Sequence, residues 1–162
     1  MSKLLILALI GGSVVILDQV TKVYIDTAFQ LHESLPIIPD LFSITYVRNP
    51  GAAFGLFAQR GEQFRSILFS GIAVVALLLL GTMIYQTPKE ERGHLLSLSL
   101  LLGGAMGNII DRIRLGEVID FLDFYIGSYH WPAFNVADSA ITVGVTLLML
   151  QMVMEKKKVP HL

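Results

Sequence analysis

Ser66-Ile-Leu-Phe-Ser-Gly-Ile-Ala-Val-Val-Ala-Leu-Leu-Leu-Leu-Gly-Thr-Met-Ile-Tyr85 contains no charged side chain over its whole length. At about 1.5 Å rise per residue, a helix of about 20 residues covers the ~30 Å hydrocarbon core of a bilayer. Lipid offers no partner to backbone N–H and C=O groups, so a stretch of this kind is a helix whatever its periodicity. Working outward, the stretches Leu4 to Ile25, Leu95 to Ile113 and Asn135 to Met154 have similar length and character. The expectation is an all-α membrane protein, a single domain over residues 1–162 built as a four-transmembrane-helix bundle.

Composition agrees. Hydrophobic residues make up 54% and charged residues 15%, against about 25% charged in soluble domains. A net charge of −1, with no basic cluster interleaved with aromatics, gives nucleic acid binding no support. The chain has no cysteine, which excludes disulfides, thiolate metal sites and a cysteine nucleophile. His32, His94, His130 and His161 are scattered, with no H-E-x-x-H spacing, so a zinc hydrolase is not expected. No G-x-S-x-G elbow is present. A Ser-Lys pair through Lys22 lacks an evident serine. Met1 to Leu17 has the lysine and apolar run of a signal peptide, but no Ala-x-Ala site follows and the run continues into Asp18-Gln-Val-Thr-Lys22, so it reads as a retained first span.

Four spans put both termini on one side, together with Lys3, the Lys156-Lys157-Lys158 run, Lys89 and Arg92. The positive-inside tendency makes that side cytoplasmic. Arg48, Arg60, Arg65, Arg112 and Arg114 fall on or near the other side, but the lysine cluster directly flanks a span. Outside lie two loops, Asp26 to Arg65 and Arg114 to Phe134. In the first, Phe42, Ile44 and Tyr46 alternate with Ser43 and Thr45, predicting a strand over 41–47 in a small β-sheet with one apolar face, closed by the turn Asn49-Pro-Gly51. Phe54, Phe57 and Phe64 around Gly61 and Glu62 predict a short interfacial helix in this first external loop. In the second, Phe124, Tyr125, Tyr129 and Trp131 suggest an aromatic belt.

Against this apolar background a few polar residues stand out, because carboxylates at the rim of a hydrocarbon core are costly and are functional candidates by default. Asp18 and Lys22, four apart, share a helix face; alone they would be a plain intrahelical ion pair reaching toward the interface. Gly103, Gly104 and Gly107 contain a G-x-x-x-G spacing that packing alone explains. Asn108, Asp111 and Arg112 continue as a polar stripe, with Asp111 and Arg112 expected to pair and order the site. Asn135 and Asp138 suit the first turn of a helix, where they complement free amides and the dipole. Asp120, between Ile119 and Phe121, has no adjacent cation. A returning loop through Pro132 can bring Asp120 and Asp138 together, and two such carboxylates would share a proton, the arrangement by which aspartic proteases activate water. Asp123 competes with Asp120, and spacing does not choose between them. A small proton- or cation-coupled transporter using Asp18, Asp111 and Asp138 is the main alternative, although a relay should reach the membrane centre and these carboxylates cluster at one end. A non-catalytic membrane scaffold is a third reading.

Five blocks then resemble bacterial lipoprotein signal peptidase, signal peptidase II: Asp18-Gln-Val-Thr-Lys22, Asn49-Pro-Gly-Ala-Ala-Phe54, Gly103-Gly-Ala-Met-Gly-Asn-Ile-Ile-Asp-Arg112, Val118-Ile-Asp-Phe121 and Phe134-Asn-Val-Ala-Asp138. They occur in the family's order and span nearly the whole chain. The resemblance implies an aspartyl endopeptidase of the bacterial cytoplasmic (inner) membrane that needs no cofactor and removes signal peptides from diacylglyceryl-modified prolipoproteins. It further implies Asp120 and Asp138 as the catalytic pair, and Asn49, Asn108, Arg112 and Asn135 as substrate-binding or site-orienting residues. Asp18, Lys22 and Asp111 would be supporting residues. The expected partners are lipid-modified prolipoproteins and membrane lipids, and the expected state is a monomer with its active site at the outer face. The glycine-rich stretch from Gly51 to Gly61 would act as a lid over the substrate.

Overall fold

The protein is described by a computed structural model over residues 1–51 and 61–156. Four helices, α1 (Lys3–Ala28), α2 (Glu62–Gln86), α3 (Arg92–Leu115) and α4 (Val136–Lys156), are each long and apolar enough to cross a membrane. Their ends lie one to four residues from those expected, because intrahelical hydrogen bonding continues past the apolar run until something terminates it. For α3 the terminator is Gly116, whose left-handed φ of 77° lets its amide bond Arg112 O at 3.0 Å.

Helix α3 is the central element, with a buried face running from Leu95 to Asp111. Its glycines serve two neighbours at once. A Cβ on Gly103 would lie 2.7 Å from Gly11 O in α1, and one on Gly107 would lie 2.5 Å from Asp18 Oδ2, also in α1. Gly104 lies directly against Ala137 of α4. The G-x-x-x-G spacing therefore brings α1 close to α3, while the intervening glycine admits α4. The α1 backbone passes Gly103 at a π-helical turn, Leu7–Gly11. Helix α2 packs mainly on α3 through Leu80, Ile84, Leu98 and Leu101. Its C-terminal carbonyls at Ile84 and Tyr85 accept from Lys3 Nζ at 3.3 and 3.0 Å.

Above one end of the bundle sits an antiparallel sheet of order β1-β2-β3-β4, comprising Ser34–Ile38, Phe42–Asn49, Val118–Ile126 and Tyr129–His130. The second external segment, read from sequence only as a loop, thus supplies two strands. The first-loop strand is present but longer than expected, and its facing differs. Ser43 and Thr45 are buried as well as Tyr46, because β2 is an internal strand and a register irregularity between Ile44 and Val47 interrupts the alternation. Thr45 Oγ1 donates to Glu33 O at 3.2 Å. The apolar side of the sheet, with Tyr46, Ile119 and Phe121, packs on Ile25 of α1. Of the expected interfacial helix, Phe54 and Phe57 lie outside the described residues, as does the interior of the expected lid. Phe64 belongs to the first turn of α2, which Gly61 precedes.

Candidate active site

The C-terminal ends of α1 and α3, the start of α4 and the β2-β3 pair meet at one end of the bundle and point polar side chains at one another. Asn135 builds the junction. As N-cap of α4 its Oδ1 accepts from the Asp138 amide at 2.9 Å, and Asp138 Oδ2 accepts in return from the Asn135 amide at 3.3 Å. This is a reciprocal capping box. The amide nitrogen of the same Asn135 faces away from the helix and lies 2.7 Å from Asp120 Oδ1, 3.2 Å from Asn108 Oδ1 and 3.2 Å from Ile119 O. Helix-start chemistry and a site role are therefore both present in one residue.

Asp120 lies on β3 opposite Val47 of β2 and is 2% exposed. Its second oxygen accepts from Asn49 Nδ2 at 2.9 Å, and Asn49 Oδ1 holds the Gly51 amide at 2.9 Å to open the turn. Asp138 Oδ1 accepts from Asn108 Nδ2 at 2.8 Å. Asp120, Asp138 and Asn49 line one cavity of about 830 Å³, whose walls include Arg48, Trp131, Phe134, Thr142 and Val143. Burial first, and the Asp138 charge second, push the Asp120 carboxyl up to about 7; hydrogen bonds from Asn49 and Asn135 and the Lys22 charge oppose the shift. The geometry also separates Asp120 from Asp123. The latter bonds His130 Nδ1 at 2.9 Å, beside the stacked Tyr125 ring, and is absent from the cavity lining.

Beneath the two carboxylates is a buried ionic cluster. Lys22 Nζ lies 2.9 Å from Asp18 Oδ2, 2.9 Å from Asp111 Oδ2 and 2.9 Å from Asn108 Oδ1. Lys22, Asp18 and Asp111 are at most 1% exposed, so the pair does not reach the interface as a lone helical pair would. The expected Asp111–Arg112 pair does not form. Consecutive residues on a helix diverge by about 100°, which sends Asp111 inward to Lys22 and leaves Arg112 Nη1 at 3.4 Å from Asn108 O. Asp18 Oδ1 accepts from the Ala137 amide at 2.9 Å, placing an anion at the N-terminus of α4. Asp111 Oδ2 accepts from the Ile119 amide at 3.1 Å and so fixes the strand one residue before Asp120. Among the described residues, no group of three or more His, Cys, Asp or Glu side chains is arranged to hold a metal ion.

Two contributors were missed in sequence. Gln19 Nε2 lies 3.0 Å from Asp111 Oδ1 and 3.2 Å from Asp18 Oδ2, and its only sequence signal was its place between Asp18 and Lys22. At the C-terminal end of α1, Asp26 accepts from the Tyr46 hydroxyl and from Arg48 Nη2, the latter at 2.7 Å. Arg48 Nε also donates to Tyr46 OH at 2.7 Å. Burial, then the Asp26 bond, raises the Tyr46 phenol, so it remains a proton donor. This trio clamps β2 to α1 three to one residues before Asn49, and its sequence signal was Asp26 lying one turn beyond Lys22.

Comparison with known proteins places this geometry. The family model described as Signal peptidase (SPase) II matches residues 10–154. The lipoprotein signal peptidase of Syntrophus aciditrophicus (strain SB) is 50% identical over 98% of this chain and 99% of its own length. That of Geobacter sulfurreducens is 50% identical over 93% of this chain and 92% of its own. A bacterial membrane enzyme solved by the in meso method at 2.3 Å resolution superposes with a TM-score of 0.83 at 36% identity, covering 96% of this chain and 93% of that one. On this breadth of match, the chain is a multi-pass membrane peptidase and belongs to the signal peptidase II family.

Proposed function

We propose that the protein is an aspartyl endopeptidase that cleaves the signal peptide from diacylglyceryl-modified prolipoproteins, cutting immediately before the lipidated cysteine. The observation that carries this reading is the pair of carboxylates, Asp120 and Asp138, lining one cavity and tied to each other through Asn135. With its carboxyl raised to about 7, Asp120 still holds a proton in a substantial fraction of molecules at neutral pH. In the mechanism, ionised Asp138, already accepting from Asn108 and Asn135, takes a proton from a water held between the carboxylates. Protonated Asp120 donates to the scissile carbonyl oxygen as the water oxygen attacks its carbon. Collapse of the tetrahedral intermediate breaks the C–N bond: the proton on Asp138 passes to the leaving amine, and the hydroxyl formed from the carbonyl oxygen returns its proton to Asp120 as the new carboxyl group forms. Asn49 and Asn135 hold Asp120 in place throughout; Arg112 and Asn108 orient substrate and dyad.

Placement follows from the substrate. A diacylglyceryl group keeps the peptide in the bilayer, so its scissile bond lies at the membrane rim, where the cavity is. We place the protein in the bacterial cytoplasmic (inner) membrane, termini inside and dyad at the outer face, by the lysines at Lys3 and Lys156 to Lys158. One chain supplies both carboxylates, so a monomer suffices. The transporter reading finds no support in the cluster, where Asp18 and Asp111 are bound to Lys22 at the same end of the bundle as Asp138 rather than distributed through its depth. The test gives purified protein a diacylglyceryl-modified prolipoprotein, with Asp120→Asn and Asp138→Asn in parallel. Cleavage by the parent and by neither folded variant is expected; cleavage surviving in either variant, or absent in the parent, overturns the reading.

A further inference from the structure

We infer that Lys22 is a positioning residue that turns the Asn108 amide so that its nitrogen, rather than its oxygen, faces the dyad carboxyl of Asp138. The inference rests on the aspartyl peptidase reading. An asparagine amide presents a donor and an acceptor of nearly equal shape, and its orientation is decided by its neighbours. Of the neighbours of Asn108, a carboxyl such as Asp138 accepts when ionised and donates when protonated, and Asn135 Nδ2, at 3.2 Å, already serves Asp120 and Ile119 O. An ammonium is not ambiguous, having three donors and no acceptor. Lys22 Nζ directs those donors at Asp18, Asp111 and Asn108, each at 2.9 Å. The Asn108 atom facing it must therefore be the oxygen.

With Oδ1 fixed on Lys22, Nδ2 of Asn108 is turned to Asp138 Oδ1 at 2.8 Å. The Asn135 amide is fixed separately by the backbone, its Oδ1 accepting from the Asp138 amide and its Nδ2 donating to Ile119 O, and so it reaches Asp120 at 2.7 Å without reference to Lys22. It meets Asn108 Oδ1 only at 3.2 Å, with its two protons already directed to Asp120 and Ile119 O. The buried cation thus keeps a donor on Asp138. Without it, Asn108 can turn its oxygen toward Asp138, and the pair then requires an additional proton. The charged groups around the chain are Asp18 and Lys22 on α1, Asp111 and Arg112 on α3, Asp120 on β3 and Asp138 on α4.

The absence of cysteine elsewhere permits a test that alters only the ammonium. The Lys22→Cys chain is alkylated while unfolded, either with 2-bromoethylamine, which rebuilds an ammonium at nearly the lysine length, or with propyl bromide, which places a methyl there, and is refolded in lipid micelles. The parent is carried through the same steps. The aminoethyl protein is expected to recover kcat to within about threefold of the parent, and the propyl protein to stay about 30-fold or more below it with KM within about twofold. The alkaline limb of the propyl protein's pH profile moves up, since its dyad holds a proton more tightly. Should the propyl protein not refold, the two alkylations are compared in the Asp111→Asn background, where one fewer carboxylate is left without its cation. Equal activity of the two alkylated proteins, an unmoved alkaline limb, or failure of the aminoethyl group to rescue overturns the inference. An inactive parent instead overturns the peptidase reading.

Discussion

Replacing Asp120 by asparagine should abolish cleavage and at the same time flatten the fall of stability with rising pH. The Asp120 carboxyl is raised from 3.8 to about 7, chiefly by burial. The unfolded chain releases this proton near 3.8 and the native chain near 7. Between those values the native state holds more protons, so its stability falls as pH rises, and the loss is complete above 7. Integrated from pH 5 to pH 8.5, the parent loses about 2–3 kcal/mol that the variant keeps. For a chain of this size the difference is about 5–10 °C in Tm. A constant offset acts against the variant, because Asn49 Nδ2 and Asn135 Nδ2 both donate to this position and an amide oxygen with its attached NH2 suits only one of them. That mismatch costs about 1–3 kcal/mol at every pH. The decisive quantity is thus the change in the gap between the two proteins, read by thermal unfolding in a neutral detergent at pH 5 and pH 8.5. The variant must gain on the parent as pH rises. A gap that stays constant, or widens in the parent's favour, would show that Asp120 ionises as an ordinary carboxylate and would remove the physical basis for a shared proton.

Asn135→Ser keeps a capping oxygen for α4 but removes the amide donor to Asp120; kcat is expected to drop about tenfold or more with Tm near the parent's. Asn135→Ala loses the cap as well, about 1 kcal/mol, so a calorimeter should separate the two variants by about 2–4 °C. Gly107→Ala places a methyl 2.5 Å from Asp18 Oδ2 and 3.2 Å from Ala137 Cβ and should destabilise by about 1–3 kcal/mol. Gly12→Ala, which meets nothing within 4 Å, should be neutral or slightly stabilising, and equal behaviour of the two would refute the close-packing account. Arg48→Met releases the clamp on Asp26 and Tyr46, for a loss of about 1 kcal/mol at this partly exposed pair. Its cleavage kinetics should show a raised KM, since Asn49 is one residue beyond.

The four helices were legible because the membrane reduces the problem to apolar length, and the rim carboxylates were legible because charge there is costly. Pairing was harder to read. Asp111 and Arg112 are adjacent and opposite in sign, so proximity in sequence joined them; helix geometry instead sends Asp111 to Lys22, on another helix. Tertiary contact likewise tells Asp120 from Asp123, which lie three apart in one apolar run and meet different partners, Asn135 and His130. The sheet was half-visible: β2 announced itself by alternation, but its internal position buries the polar Ser43 and Thr45. Phe124, Tyr125, Tyr129 and Trp131 read as an interfacial loop because Phe124-Tyr125-Ile126 does not alternate with polar residues, although Gly127-Ser128 between β3 and β4 is a two-residue turn signal.

The capping box at Asn135 and Asp138 also bears on how the last helix enters the membrane. A slip of α4 by one residue would rotate Asp138 by about 100° and shift it about 1.5 Å along the axis, removing it from Asn108 while uncapping the helix. The same slip withdraws the Ala137 amide from Asp18 and leaves a buried carboxylate short of a donor. The insertion depth that satisfies the backbone is therefore the depth that arms the cavity, and a misinserted chain is unstable and inert for one and the same reason.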